Sequence, residues 1–274
     1  VRHVFIILLT AAALAAGVVM RLPQAHAQSQ QQEDAFATLY TRWQQTTDPE
    51  QRISIGEELL TLEPSQKSWS LTVSREGFWA ELSLGIGSVY AIRSRGIRAD
   101  NLERAVAHLD NAVQNFSFAS DPQNWARAHN NAGIAYWSRI RGERADNQER
   151  AIAHFEAALK VFTRDTAPKE WAQLQNNLAI VLASRILGDR TANVETALAH
   201  YEAALAVFTR ESEPLLWASA QNNLGAAYRV RRHGDRADNR EKAIAHIGAA
   251  LTVFTREAVP HEWASARYNL AIIY

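Results

Sequence analysis

Asparagine pairs are the side chains best placed to do chemistry in this chain: Asn130-Asn131, Asn176-Asn177 and Asn222-Asn223, with Tyr268-Asn269 in the same phase. A primary amide offers both donor and acceptor, so it can hold the backbone of an extended peptide. It can equally bond across neighbouring helices and set their spacing, since buried amides need partners in either case. Arg127, one helical turn before Asn131, adds positive charge beside the pair, and Gln173, Ser219 and Ser265 replace it further on. A second periodic set, Arg93, Arg139, Arg185 and Arg231 with Arg98, Arg144, Arg190 and Arg236, makes a basic stripe. Guanidinium forks suit an acidic partner, but they also suit pairing with the nearby Asp100, Asp146, Asp189, Asp235 and Asp238 or with carbonyls at helix ends. Near-zero net charge favours pairing.

His108, His154, His200 and His246 form a ladder that invites a metal reading. Zinc needs its nitrogens at about 2.0–2.1 Å, whereas equivalent residues on successively packed helices stand at least about 8–10 Å apart. These histidines are therefore read as solvent-facing. With no cysteine, a thiol nucleophile, thiolate-bound zinc and disulfides are excluded. The remaining polar residues recur along the chain instead of converging, so no catalytic set, metal or cofactor is expected.

The elements that must position these side chains follow from their shared step. Tryptophans stand at 79, 125, 171, 217 and 263, always 46 residues apart, and Pro122, Pro168, Pro214 and Pro260 keep the same step, as do Gly96, Gly142, Gly188 and Gly234. Fixed self-similarity of this length marks a stacked array rather than a single globular core. Within each unit, Trp79, Leu82, Ile86, Gly87 and Tyr90 fall on one helical face, and Ala151, Ile152, Phe155, Ala158, Leu159 and Phe162 on a second. Each unit is thus a helical hairpin that buries its apolar faces only by stacking on its neighbours. Proline at one junction fits the first turn of a helix. At the other, Asp100 with Glu103, Asp146 with Glu149 and Asp238 with Glu241 have the form of a capping box, and Asn193 would cap where Ala192 replaces the Asp. Gly133, Ala179, Gly225 and Ala271 are expected where two helices approach closely, and the tryptophans in the core between repeats.

The stretch Asn222-Asn-Leu-Gly-Ala-Ala-Tyr228, followed by Ala243-Ile244, Ile247 and Ala250-Leu251, resembles the tetratricopeptide (TPR) repeat. The likeness covers residues 79–274, with repeats starting at 79, 125, 171 and 217 and a partial one at 263. It implies an all-α, right-handed superhelical solenoid of antiparallel helix hairpins, whose first helices line a concave groove. By the same resemblance Asn131, Asn177, Asn223 and Asn269 match the position that binds an extended peptide. The usual unit is about 34 residues, so the longer period resembles the bacterial arrays that accompany CHAT-type peptidase domains. HEAT or armadillo repeats, with periods of about 40–47 residues, are the alternative, and the Leu-Gly-x-x-Tyr signature favours TPR.

Upstream, residues 1–27 read as a secretory signal: Arg2, an apolar run from Val4 to Met20, and Ala25-His26-Ala27 before a polar turn at Gln28. An uncleaved anchor is the alternative reading. Cleavage leaves 27 basic against 29 acidic residues, which draws the protein neither to nucleic acid nor into a membrane. Residues 28–78 are expected to form a divergent first hairpin and a loop at Glu63-Pro64-Ser-Gln-Lys-Ser. The apolar Leu270-Ala-Ile-Ile-Tyr274 carries no polar cap, which leads us to expect further chain. The functional expectation is a periplasmic or secreted, non-enzymatic scaffold that binds a protein or peptide. Its alternative is the recognition module of a longer protein with a C-terminal effector such as a peptidase. Oligomeric state is open on sequence grounds.

Overall fold

A computed structural model describes residues 35–62 and 75–274, which are helical without any strand. The expected signal segment and the loop after Leu62 lie outside the described residues. The helices are α1 (35–45), α2 (Pro49–Thr61), α3 (Arg75–Ile92), α4 (Arg98–Asn115), α5 (Pro122–Ser138), α6 (Arg144–Ala158), α7 (Pro168–Ala183), α8 (Arg190–Leu205), α9 (Pro214–Val230), α10 (Arg236–Leu251) and α11 (Pro260–Ala271). From α2 onward each packs on the next along the chain. In addition α3, α5, α7, α9 and α11 touch one another in turn, while α4, α6, α8 and α10 do not. The first helices of the hairpins therefore form one continuous layer and the second helices an outer one, which is the build of a helical solenoid. Among the described residues no helix is long and apolar enough to cross a membrane.

Proline opens α5, α7, α9 and α11 as its fixed φ suggests. Asp121 caps α5 by accepting from the Asn124 N–H at 3.2 Å, and Asp48 caps α2 from Gln51 at 2.8 Å. The capping boxes expected at the other junction do not form. α4, α6 and α10 start at Arg98, Arg144 and Arg236, so Asp100, Asp146 and Asp238 lie inside the first turn, where they complement the helix dipole. Nor does Asn193 cap α8; Asp189 does, accepting from the Ala192 N–H at 2.7 Å.

The earlier start has a local cause. Gly96, Gly142, Gly188 and Gly234 adopt φ near +80°, which a side chain would strain. Just past them Asn101, Asn147, Asn193 and Asn239 fold back. Their amides donate to the carbonyls of Arg95, Arg141, Leu187 and His233, at 2.7, 2.9, 2.8 and 2.9 Å. These four asparagines are buried, and each closes its own turn before the helix begins.

One apolar cluster runs from Phe36 in α1 to Ala243 in α10, taking in Leu82, Ile86, Tyr90, Phe155 and Tyr201. Close approach within a hairpin is real: a Cβ on Gly133 would come within 2.6 Å of the Phe155 ring, and one on Gly225 within 2.9 Å of the Ala243 carbonyl. Ala179 is buried likewise, but Ala271 is exposed, with no described residue packed over that end of α11. The five repeat tryptophans are half-buried rather than enclosed, Trp217 packing against the clusters of both the third and the fourth hairpin.

Candidate functional site

The asparagine pairs lie on the layer of first helices, where they bond mostly to one another. Asn131 donates its amide to Ser88 Oγ at 2.9 Å, Asn130 to Asn131 at 3.1 Å, and Asn177 to Asn130 at 3.4 Å. Asn269 donates to Asn222 at 3.1 Å. The rule is that the second amide of one repeat reaches the first amide of the repeat before. Asn131 departs from it because Leu84 occupies the matching position, so it takes a serine instead. The rung between Asn176 and Asn223 is not made. Asn176 Oδ1 is buried without a partner, and the half-buried amide of Asn223 has none among the described residues. Arg127 is exposed and reaches Asn124 at 3.5 Å, its only partner among the described residues. This face thus carries fixed amides at most positions and an open pair at one.

At the turn end of the hairpins, the arginine stripe, Arg236 apart, is taken up by contacts within the fold. Arg139 grips Glu103 with Nε–Oε1 at 2.8 Å and Nη2–Oε2 at 2.6 Å, and Arg185 grips Glu149 and Arg231 grips Glu195 in the same bidentate way. Arg93 does so with Glu50. Partners stand 43 residues apart at this first junction and 36 at each later one, because the α2–α3 connection departs from the repeat. Each guanidinium holds its partner's carboxyl below the ordinary range. The expected aspartate partners are therefore largely displaced by glutamates of the preceding hairpin; among the described residues only Arg141 pairs with such an aspartate, Asp100. Arg98, Arg144 and Arg190 do bond to helix-end carbonyls, those of Ala91, Trp137 and Ala183.

The histidine ladder is not solvent-facing. His154 Nδ1 meets His129 Nδ1 at 3.0 Å, His246 Nδ1 meets Gln221 Oε1 at 2.6 Å, and His200 Nδ1 contacts Gln175 Oε1, so each joins the two helices of one hairpin. Burial pushes His108, His154, His200 and His246 below the usual histidine pKa. His129 is pushed down to about 4, by burial first and by its neighbour His154 next. Among the described residues no three metal-ligating side chains converge.

A third contact crosses the junctions on the side of the second helices. Tyr136 donates its hydroxyl to Asp110 at 2.7 Å while Arg150 donates to that hydroxyl at 3.3 Å. The same trio is Tyr90, Glu57 and Arg104 in the first repeat, and Tyr228, Glu202 and Lys242 in the fourth. Sequence reasoning missed the turn-closing role of the asparagines, His129 with its glutamine counterparts, and the glutamate partners, although all of these but Glu50 keep the 46-residue step.

Fold and contacts together define a helical repeat protein whose unit is a hairpin locked to its predecessor by an arginine fork. No protein-family model matches the chain, and no curated protein does.

Proposed function

We propose that this chain is a TPR-type interaction scaffold, without catalytic activity, that holds an extended peptide or a partner's helix along the layer of first helices. Asn222-Asn-Leu-Gly-Ala-Ala-Tyr228 supports the TPR reading. The observation that carries the binding role is Asn223: its amide has no partner among the described residues, in the middle of a face whose other amides are mostly engaged. A free donor and acceptor on a preorganised helical surface is what an incoming backbone needs. Near-neutral charge supports a polypeptide over nucleic acid, and the segment 1–27 supports export to the periplasm or the exterior.

The test places a photo-crosslinking residue at position 223 and, as control, at the exposed Ala199 of α8, in the full chain exposed to secreted and periplasmic protein of the source cells. Position 223 should yield polypeptide adducts that excess unmodified protein suppresses and Asn223→Ala protein suppresses at least about tenfold less well. Equal labelling from both positions, or none from 223, overturns the proposal.

A further inference from the structure

The third repeat departs from the others on the side of the second helices. In the first, Tyr90 donates to Glu57 at 2.5 Å, and Arg104 reaches both the hydroxyl at 3.0 Å and the carboxylate at 3.2 Å. The second closes the trio with Arg150 5.4 Å from the Tyr136 ring centre, and the fourth with Lys242 5.4 Å from that of Tyr228. At the matching positions the third repeat has Leu182 and Thr196. The acid survives as Glu156, which is exposed and makes no ion pair or hydrogen bond among the described residues.

The histidine is orphaned at the same place. His108, His154 and His246 stack on the tyrosine of their repeat, with ring centres 5.9, 5.4 and 5.5 Å apart and planes within 15°. His200 has no such ring to stack on, because Leu182 stands there. A cavity of about 370 Å³ lies over the gap, lined by Glu156, Thr196, His200, Leu178, Leu182 and Ile152 among others. Its lining sets it apart rather than its size, since a groove of about 470 Å³ lies over the first repeat with the trio in place. Glu149 on the rim is already paired with Arg185 at 2.6 Å, and burial pushes the His200 pKa down while its Nδ1 meets Gln175. Glu156 therefore stands beside an apolar floor and the side of an imidazole with no ion pair of its own among the described residues, attracted from a distance by Arg185, which already grips Glu149.

We propose that this cavity binds a small organic monocation carrying an aromatic ring, an arylalkylamine in chemical class. The ring takes the place that tyrosine fills elsewhere, against His200 and Leu182, and the ammonium takes that of the arginine or lysine, against Glu156. The other repeats supply the template, because at the equivalent positions they set a phenol and a cation from the chain itself beside the acid. A volume of this size suits a small ligand, and an exposed carboxylate gives orientation and charge selection more than affinity.

Calorimetry on the full chain with tyramine as probe tests it, with p-cresol and ethylamine as ring-only and charge-only comparisons. Tyramine should bind with Kd of about 1 mM or tighter, and each comparison compound at least about tenfold more weakly. Glu156→Gln, a surface change that leaves the fold alone, should weaken tyramine about threefold. Leu182→Tyr with Thr196→Arg rebuilds the trio and should abolish binding while the helical circular dichroism is kept. Absence of tyramine binding at about 10 mM, or an affinity unmoved by Glu156→Gln, overturns the proposal. Binding that persists in a folded rebuilt variant overturns it too.

Discussion

The second and third repeats are the same 46-residue unit, yet they agree in one set of contacts and differ in another. Arg139 on Glu103 and Arg185 on Glu149 have matching bidentate geometry, Gly142 and Gly188 share φ +80°, and Asn147 and Asn193 close their turns at 2.9 and 2.8 Å. By contrast, His129 in one is Gln175 in the other, and Tyr136 with Arg150 becomes Leu182 with Thr196. The shared set fixes how a hairpin turns and how it seats on its predecessor. A change there would propagate along the stack, whereas a change in the second set alters one surface or one pair of helices. What varies between repeats is thus where individual properties are to be sought.

The largest effect that sharpens this contrast comes from the turns. Asn147→Ala removes a buried donor, leaves the Arg141 carbonyl unpaired and should destabilise the array by about 2–3 kcal/mol. Asn193→Ala should match it, and urea unfolding followed by tryptophan fluorescence would show whether the two agree. A clear difference between them would break the claim that this set is interchangeable.

Next comes the histidine pair, which belongs to the second repeat alone. His129 titrates near 4 in the folded chain against 6.5 for the free group, so the unfolded chain takes up a proton that the fold refuses. Stability should therefore fall as pH drops from 6.5 towards 4. His129→Gln, which copies the third and fourth repeats, should remove on the order of 2 kcal/mol of that acid sensitivity and leave neutral-pH stability nearly unchanged. Melting temperatures across that range check the sign and the size.

The arginine forks should give the smallest shift, since both partners are about a quarter to a third exposed. Glu149→Gln should cost under about 1 kcal/mol at neutral pH, and Glu103→Gln the same. The Arg185 hydrogen bond lowers the Glu149 pKa, so this contribution is present above the unfolded value near 4.5 and is lost as pH falls through the lower folded value. Thermal melts of the two variants at pH 7 and pH 3 would read it.

Much of this was legible in the chain. The tryptophan, proline and glycine steps marked out the hairpins, and the apolar spacing named Leu82, Ile86 and Phe155 as core. Helix starts were misjudged because an Asp–Glu pair three residues apart satisfies the pattern of a capping box, while the glycine and the buried asparagine decide where the helix can begin. Glu103 was hidden as a partner of Arg139 because the two are 36 residues apart and meet only once hairpins stack. The histidines looked solvent-facing for a related reason: the residue covering His154 is His129 on the facing helix, 25 positions away. The amide face was legible in position but not in state, since whether an asparagine is engaged depends on which residue its neighbouring repeat presents.

The arginine fork carries a further consequence for how the chain can change in length. Every fork joins one hairpin only to the hairpin just before it, by the same two atoms on each side. Excising one complete period, 125–170 for example, would bring Arg185 onto Glu103 and leave a mended seam with equivalent chemistry. A deletion of another size within the helices would set the guanidinium against the wrong turn, whereas the connection between hairpins can vary, as the 43-residue step from Glu50 to Arg93 shows, so the helical part changes length in whole units, as a chain of identical links does.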